Sequence, residues 1–520
     1  MDVALSTPLP ELAKTRDRSS PPGTSGTSAS PLTRSGSTRS SADKSAPTRY
    51  RRILFTLFLC TLPLVNPIVQ GDGVGYYAYV RAPLIQHDLH FEPDWLHTDH
   101  LFSQARTLPN GQLSAAAYTE TGYLSNLFSI GPALLWAPFL LAAHGIVLLC
   151  NAHGAHIPAD GFSLPYLVAM ALGTAIYGFL GLLFSNSLAR KYVEERWAFL
   201  ATLGIWGASS LPVYMYFNPS WSHAHSVFVV ALFLWYWERT RGSRTFWQWI
   251  LLGLVSGLML DVYFANGVFL VLPLIESFVD YWDAWKTHDF REAASLFTAN
   301  FCFLLTVIVC FVPTLITRYI IFGGLFRFGA YSGLHWEWNA PYWHSILVSS
   351  EHGIVTWTPI LLLAIIGLFF PPRRAKVLTT YLSAGAAAFF YLISCYPYWN
   401  ATVSFGNRYL ISVTPIFIFG LALLLQRVAS SGSSRLLFPT AASLVVLFAL
   451  WNAGFIFQWG AHLIPARGPV SFAGVAHNQF FVVPRELSSD LHRYFFKRKS
   501  LMQQIKQRDI QELEKNQPEK

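Results

Sequence analysis

Hydrophobic positions along the chain gather into long runs separated by short polar stretches, and most runs approach the ~20 residues that carry a helix across a bilayer. They fall at about 53–70, 163–188, 197–217, 222–240, 246–262, 263–281 and 295–320, then at about 354–371, 377–395, 409–426 and 436–458. This pattern predicts an all-α polytopic membrane protein with about eleven transmembrane helices. One further run, 126–150, is long enough to cross but carries Gly131, Pro132, Pro138, His144 and Gly145. Residues 1–49 are rich in Ser, Thr, Pro and Arg, cannot bury a core, and are expected to form a disordered cytoplasmic tail. The first run begins too late for a secretory signal and has no clear small-residue cleavage site, so an uncleaved first span is expected.

Loop charges give each span its direction. Positive residues beside spans stay on the cytoplasmic side, so Arg49, Arg51 and Arg52 place the tail inside and deliver Asp72 to the outer face. Basic loops follow at Arg190-Lys191 with Arg196, at Arg239 with Arg241 and Arg244, at Arg373-Arg374 with Lys376, and at Arg427 with Arg435. All four fall inside together only if 126–150 does not cross. That run is therefore predicted to be a re-entrant or juxtamembrane helix on the outer face. The expected external parts are a long first loop (71–162), a short loop (218–225), the segments 322–353 and 396–408, and a polar C-terminal tail (461–520).

Composition agrees with this picture. The chain is 53% hydrophobic and 12% charged, which excludes an ordinary soluble domain. Its 18 Trp include several near the ends of apolar runs, as interfacial belts require. Much of the net charge of +9 sits in the tail and in inter-helix loops, where it fixes topology, so no nucleic-acid partner is expected. Cys60, Cys150, Cys302, Cys310 and Cys395 lie in or beside apolar runs and have no metal-ligand spacing. They read as small hydrophobes, not as a disulfide framework or zinc site.

The most informative polar stretch is Gly71-Asp72-Gly73-Val74-Gly75-Tyr76-Tyr77 at the end of the first run. A carboxylate at a membrane boundary is costly unless it faces water or a partner, so Asp72 is either functional or a plain helix-end acid. Glu120 could orient an acceptor, bind a metal or simply be solvated. Asp88, Glu92, Asp94 and Asp99 stand among His87, His90, His97 and His100, a mixture that suits several divalent metals but repeats no spacing, and a solvated loop helix is the other reading. His223 and His225 could move protons or bind phosphate, or could cap the fourth span. Asp261 could bind substrate or pair with a neighbouring helix. His335-Trp336-Glu337-Trp338-Asn339 offers ring faces and an acid to a sugar, or a membrane anchor. Arg408, behind Gly406 and Asn407, could hold phosphate or lipid headgroups.

The layout resembles the GT-C glycosyltransferases, which include protein O-mannosyltransferases, the aminoarabinose transferase of lipid A and oligosaccharyltransferase catalytic subunits. The resemblance covers residues 51 to about 460 and rests on three features: a carboxylate after span one, a non-crossing helix in the first loop, and a long segment (322–353) after span seven. The stretches Asn126-Leu127-Phe128-Ser129-Ile130-Gly131-Pro132 and Ser404-Phe405-Gly406-Asn407-Arg408-Tyr409 look like those of bacterial members. The resemblance implies a catalytic module at 50–353 followed by spans at 354–460. It also implies an inverting glycosyltransferase that moves a sugar from a polyprenyl-phosphate carrier to a protein, lipid or glycan acceptor, on the periplasmic face of a bacterial plasma membrane. Asp72 would be the base, and Arg408, ahead of Arg318 and Arg327, would stabilise the departing phosphate. Two family features are missing. The second acidic motif after span three is replaced by Asn218, Ser222, His223 and His225, and the Glu-Lys-Pro-Pro of the aminoarabinose transferase is absent, with Glu120 upstream and Asn126 near the lysine position. A divalent metal is thus an option, and no cofactor is certain. A transporter or flippase of a lipid-linked or small substrate is the competing class, and a surface-polysaccharide polymerase or ligase a third. The halves show no internal repeat and polar residues gather outside, which favours the transferase.

Overall fold

The computed structural model describes residues 49–98, 108, 110–327, 334–432 and 435–515. The expected disordered tail therefore lies outside the described residues up to position 48, as do Asp99 and His100. The described chain is helical, with one isolated antiparallel bridge between Tyr118 and Leu124. Seven of its helical stretches are long and apolar enough to cross a membrane. On the helix Phe290–Phe322, Leu305, Ile308, Val309 and Ile316 remain exposed, an apolar face left for lipid. The protein is an all-α polytopic membrane protein, as the run pattern predicts. At its centre stands the helix Thr414–Ser431, buried without a gap from Thr414 to Leu423.

Several apolar runs are not single helices, and their breaks position the site. The first run is helical over Arg49–Thr61 and turns once more at Leu62–Leu64, and residues 65–70 then have no regular structure. Those two elements span roughly 24 Å at 1.5 Å per residue, short of the ~30 Å hydrocarbon layer. Pro63 and Pro67 explain the stop, because neither has an N–H to continue the ladder. The run 197–217 breaks as well: the helix Glu195–Gly207 ends, and a separate turn, Val213–Phe217, follows Pro212. The two breaks meet. Asn66 N donates to Tyr216 O at 2.7 Å, and Gln70 Nε2 donates to Asn218 Oδ1 at 2.6 Å. A third run, 354–371, splits at Pro359 into Ile354–Trp357 and Ile360–Gly367.

The run 126–150 forms the helix Gly131–Ala152, and both of its flanks return to one short helix, Asp72–Arg81. On one side Asn126 Nδ2 donates to Gly75 O at 2.9 Å and Tyr79 OH donates to Asn126 O at 2.9 Å. On the other, Tyr77 OH donates to Gly161 O at 2.6 Å. Ten residues of helix cover only about 15 Å, so the chain leaves and rejoins the same neighbourhood. Trp136 Nε1 donates to Thr174 Oγ1 and His144 meets Tyr166, which makes Gly131–Ala152 antiparallel to the first half of Leu164–Arg190.

The C-terminal segment differs from a free polar tail. It folds into Phe472–His477, Val483–Phe496 and Arg498–Lys515, with Val475, Val483, Tyr494 and Leu501 buried. Tyr494 and Leu501 are spaced among charges, which hides them in a composition average.

Two backbones pack closely where Gly131–Ala152 begins. A Cβ on Gly131 would lie 2.2 Å from Val262 N and 2.3 Å from the Asp261 carbonyl carbon. Ser129 Oγ, just upstream, donates to Val262 O at 2.8 Å. Gly131→Ala should therefore force two backbones apart at a cost of about 1–3 kcal/mol, read as a lower thermal midpoint in detergent. Gly145→Ala, with nothing within 4 Å of its new methyl group, should leave the midpoint unchanged or raise it.

Candidate active site

Asp72 opens the helix Asp72–Arg81, where a negative charge is favoured by the helix dipole. Gly71 ahead of it takes φ 55°, a left-handed conformation that lets the irregular strand turn directly into the helix. Arg408 arrives from the far end of the chain, in the turn Arg408–Val413 that leads into the central helix. Its Nη2 donates to Asp72 Oδ2 at 3.0 Å and its Nη1 to Val403 O at 3.2 Å. The guanidinium lies over the Trp221 ring, 4.5 Å from the centroid, an arrangement that favours a cation. Trp221 is itself anchored, its Nε1 donating to Gln70 O at 2.9 Å. One irregular segment, 65–71, thus leads into the acid and holds the ring over which its arginine partner lies.

The pair is open on one side. Asp72 is 28% exposed and Arg408 is 9% exposed. Beneath them Ser222 Oγ donates to Tyr76 OH at 3.1 Å, and burial, then the Asp72 charge, push the Tyr76 phenol well up, so it stays protonated. Asp72, Arg408 and Trp221 border a cavity of about 2370 Å³. Its far wall is apolar and includes Leu57, Val446 and Leu450, whose side chains are 37%, 54% and 62% exposed, so the cavity runs onto the lipid-facing surface. Arg493, Arg498 and Lys499 of the C-terminal helices line another side. A carboxylate with one oxygen held by a guanidinium can accept a proton through the other. The guanidinium can meet an anion bidentately.

The remaining sequence-derived residues fall elsewhere. Asn407, next to Arg408, is buried and donates from Nδ2 to Trp399 O at 2.9 Å, holding the loop that precedes the arginine. Asn126 is fully buried and braces the first-loop helix, with Oδ1 accepting from Phe128 N. Arg318 donates to the carbonyls of Asn126, Leu127 and Phe128, a structural role in place of phosphate contact. Glu120 is 91% exposed and its partner is Arg327 at 3.4 Å. His223 is buried against Tyr214 and Trp221, and His225 lies edge-on to Trp136, so both pack behind the site and neither borders the cavity. His335 is exposed, and Glu337 donates its backbone N–H to Cys395 O; they too lie off the cavity. Asp94, from the acid–histidine stretch, is drawn into a buried bidentate pair with Arg81. Among the described residues no group of three or more His, Cys, Asp or Glu side chains is arranged to hold a metal.

Sequence reasoning missed Trp221 as a platform, Gln70 as its anchor and the C-terminal helices as a wall. The signal for the first two was the Pro63–Pro67 pair, which marks an unwound span end beside Asp72.

No protein-family model matches the chain, and no curated protein matches it. Among solved structures it is similar to ArnT from Cupriavidus metallidurans in the apo state, with 14% identity over 79% of this chain and 70% of that one and a TM-score of 0.41. The same protein bound to undecaprenyl phosphate gives 14% identity, 79% and 71% coverage and a TM-score of 0.43. Archaeal oligosaccharyltransferase AglB from Archaeoglobus fulgidus, in complex with an inhibitory peptide and a dolichol-phosphate, gives 13% identity and a TM-score of 0.44. The match covers 84% of this chain but 54% of AglB, so the chain spans about half of that protein's length.

Proposed function

We propose that the protein is an inverting glycosyltransferase that takes a sugar from a polyprenyl-phosphate carrier and joins it to an acceptor hydroxyl at the outer face of the membrane. The observation that carries this reading is the Asp72–Arg408 pair at one end of a cavity that has an apolar wall open to lipid and a basic wall from the C-terminal helices. The apolar cleft suits an isoprenoid tail, and the guanidinium suits its phosphate. In the reaction the acceptor oxygen forms a bond to the anomeric carbon and passes its proton to Asp72. The bond from that carbon to the phosphate oxygen breaks, and the phosphate leaves with the electron pair towards Arg408. Asp72 acting as base on the acceptor, with no bond to the sugar, fits a single displacement, hence inversion. A bacterial plasma membrane with this face on the periplasmic side suits such a carrier, and the acceptor is a protein, lipid or glycan.

Two measurements test this. Asp72→Asn should lower the rate of sugar transfer from a polyprenyl-phosphate-linked donor by at least about 100-fold, the lower range of general-base effects, while the protein extracts normally in detergent. Glu120→Gln should retain transfer within about twofold, a margin that corresponds to well under 1 kcal/mol. Undiminished transfer by the Asp72 variant would remove the base assignment. For topology, a cysteine introduced between Arg190 and Arg196 should resist an impermeant thiol reagent applied to intact cells. Labelling there would overturn the non-crossing reading of 126–150 and, with it, the match to the family's layout.

A further inference from the structure

Residues 63–65 end the helical part of the first span, and the carbonyls of a helix end have no partners of their own. Irregular backbone at membrane depth persists only where protein covers it or where it lines a cavity. Here the cover is supplied from more than 400 residues away in sequence. Tyr494 OH donates to Leu64 O at 2.6 Å. Arg498 donates from Nη1 to Val65 O at 2.6 Å and from Nη2 to Pro63 O at 3.1 Å. Three consecutive carbonyls are thereby taken by two side chains. Arg498 also donates from Nε to Tyr494 O, and its guanidinium stacks 4.2 Å from the Tyr494 ring centroid, so the two side chains act as one unit. Asn66 Nδ2 reaches Met502 Sδ at 3.4 Å, and the Tyr494 ring meets Phe217 edge-on at 6.0 Å. The C-terminal helices thus grip both breaks that frame the site, the one ahead of Asp72 and the one ahead of Trp221.

We propose that Arg498 and Tyr494 are positioning residues for Asp72, and that the C-terminal helices are a working part of the catalytic unit. The strand 65–71 is a lever with two fixed points. Gln70 and Trp221 hold the Asp72 end, while Arg498 and Tyr494 hold the span end. A positive charge at this position also complements the negative end of the Arg49–Thr61 helix dipole. With the clasp removed, Pro63, Leu64 and Val65 would present bare carbonyls to an apolar cavity wall, which is costly enough to make the strand rearrange. Asp72 would then lose its fixed distance to Arg408. The consequence for transfer rests on the proposed function; the consequence for the strand does not.

Amide hydrogen exchange and steady-state transfer, measured on the full chain in detergent, separate the two. In Arg498→Ala, exchange at residues 66–74 should accelerate while exchange in Phe290–Phe322 is unchanged. The turnover number should fall about 10- to 100-fold, as a displacement of about 1 Å would cause, with the donor KM within about twofold. Arg498→Lys should recover part of both effects, since an ammonium can still serve one carbonyl. Tyr494→Phe keeps the ring packing, removes only the Leu64 bond and should show a smaller change of the same kind, which guards against a misfolded alanine variant. Arg485→Ala, an exposed arginine on the same helix, should behave as wild type. Unchanged exchange at 66–74 in both Arg498→Ala and Tyr494→Phe overturns the proposal whatever transfer does. Faster exchange in a protein whose wild type moves no sugar upholds the clasp and discards the transferase reading.

Discussion

The constraint on which the rest depends is the early end of the first span. A helix that stops at Leu64 leaves seven residues to reach Asp72 without a ladder of hydrogen bonds. In a bilayer such a stretch must find every partner within the protein. It does so by lying against a second broken run, at 208–222, and under the C-terminal helices. The two breaks create the cavity, because two helices that stop short leave a gap where continuous ones would pack. The same backbone irregularity makes room for a substrate and aims a carboxylate into it.

Rigidity comes from the opposite direction. Arg408 stands at the head of a helix whose first ten residues are all buried, with Ser226 and Ser412 bonded across to the neighbouring span at 3.0 Å. Asn266 Nδ2 adds a third member by donating to Ser226 Oγ at 2.7 Å. The cation is therefore mounted on the core, and the carboxylate at the start of a helix whose incoming segment is supported from its two ends. An ion pair of this kind joins the start of the chain to its last third, and its partial exposure on the Asp72 side spares it the full desolvation cost of a buried pair.

The fold class was legible because hydrocarbon thickness sets the length of apolar runs directly, and no tertiary knowledge is needed to count them. Asp72 and Arg408 were legible because a charge at a run's end has few inexpensive explanations. Their pairing, across 336 residues, was not. His223, His225 and Asn126 misled for one reason: a polar residue near a span end reads as facing water, whereas these turn inward, against Tyr214, Trp136 and the Gly75 carbonyl. The C-terminal segment misled through averaging, since Tyr494 and Leu501 are buried positions set among many charges. Local composition records how polar a segment is; which of its few apolar residues meet a partner depends on the partner.

The ion pair also bears on how the proposed reaction is ordered. In the resting protein Arg408 has Asp72 as its anionic partner. A donor phosphate entering the cavity competes for the same guanidinium, and its oxygens match the fork better than a single carboxylate contact at 3.0 Å does. In the proposed reaction, as Arg408 turns to the phosphate, the Asp72 carboxylate is released from that hydrogen bond and either oxygen can face the acceptor hydroxyl. Arg408 would then act twice, fixing the carboxylate while the site is empty and stabilising the phosphate once it is filled.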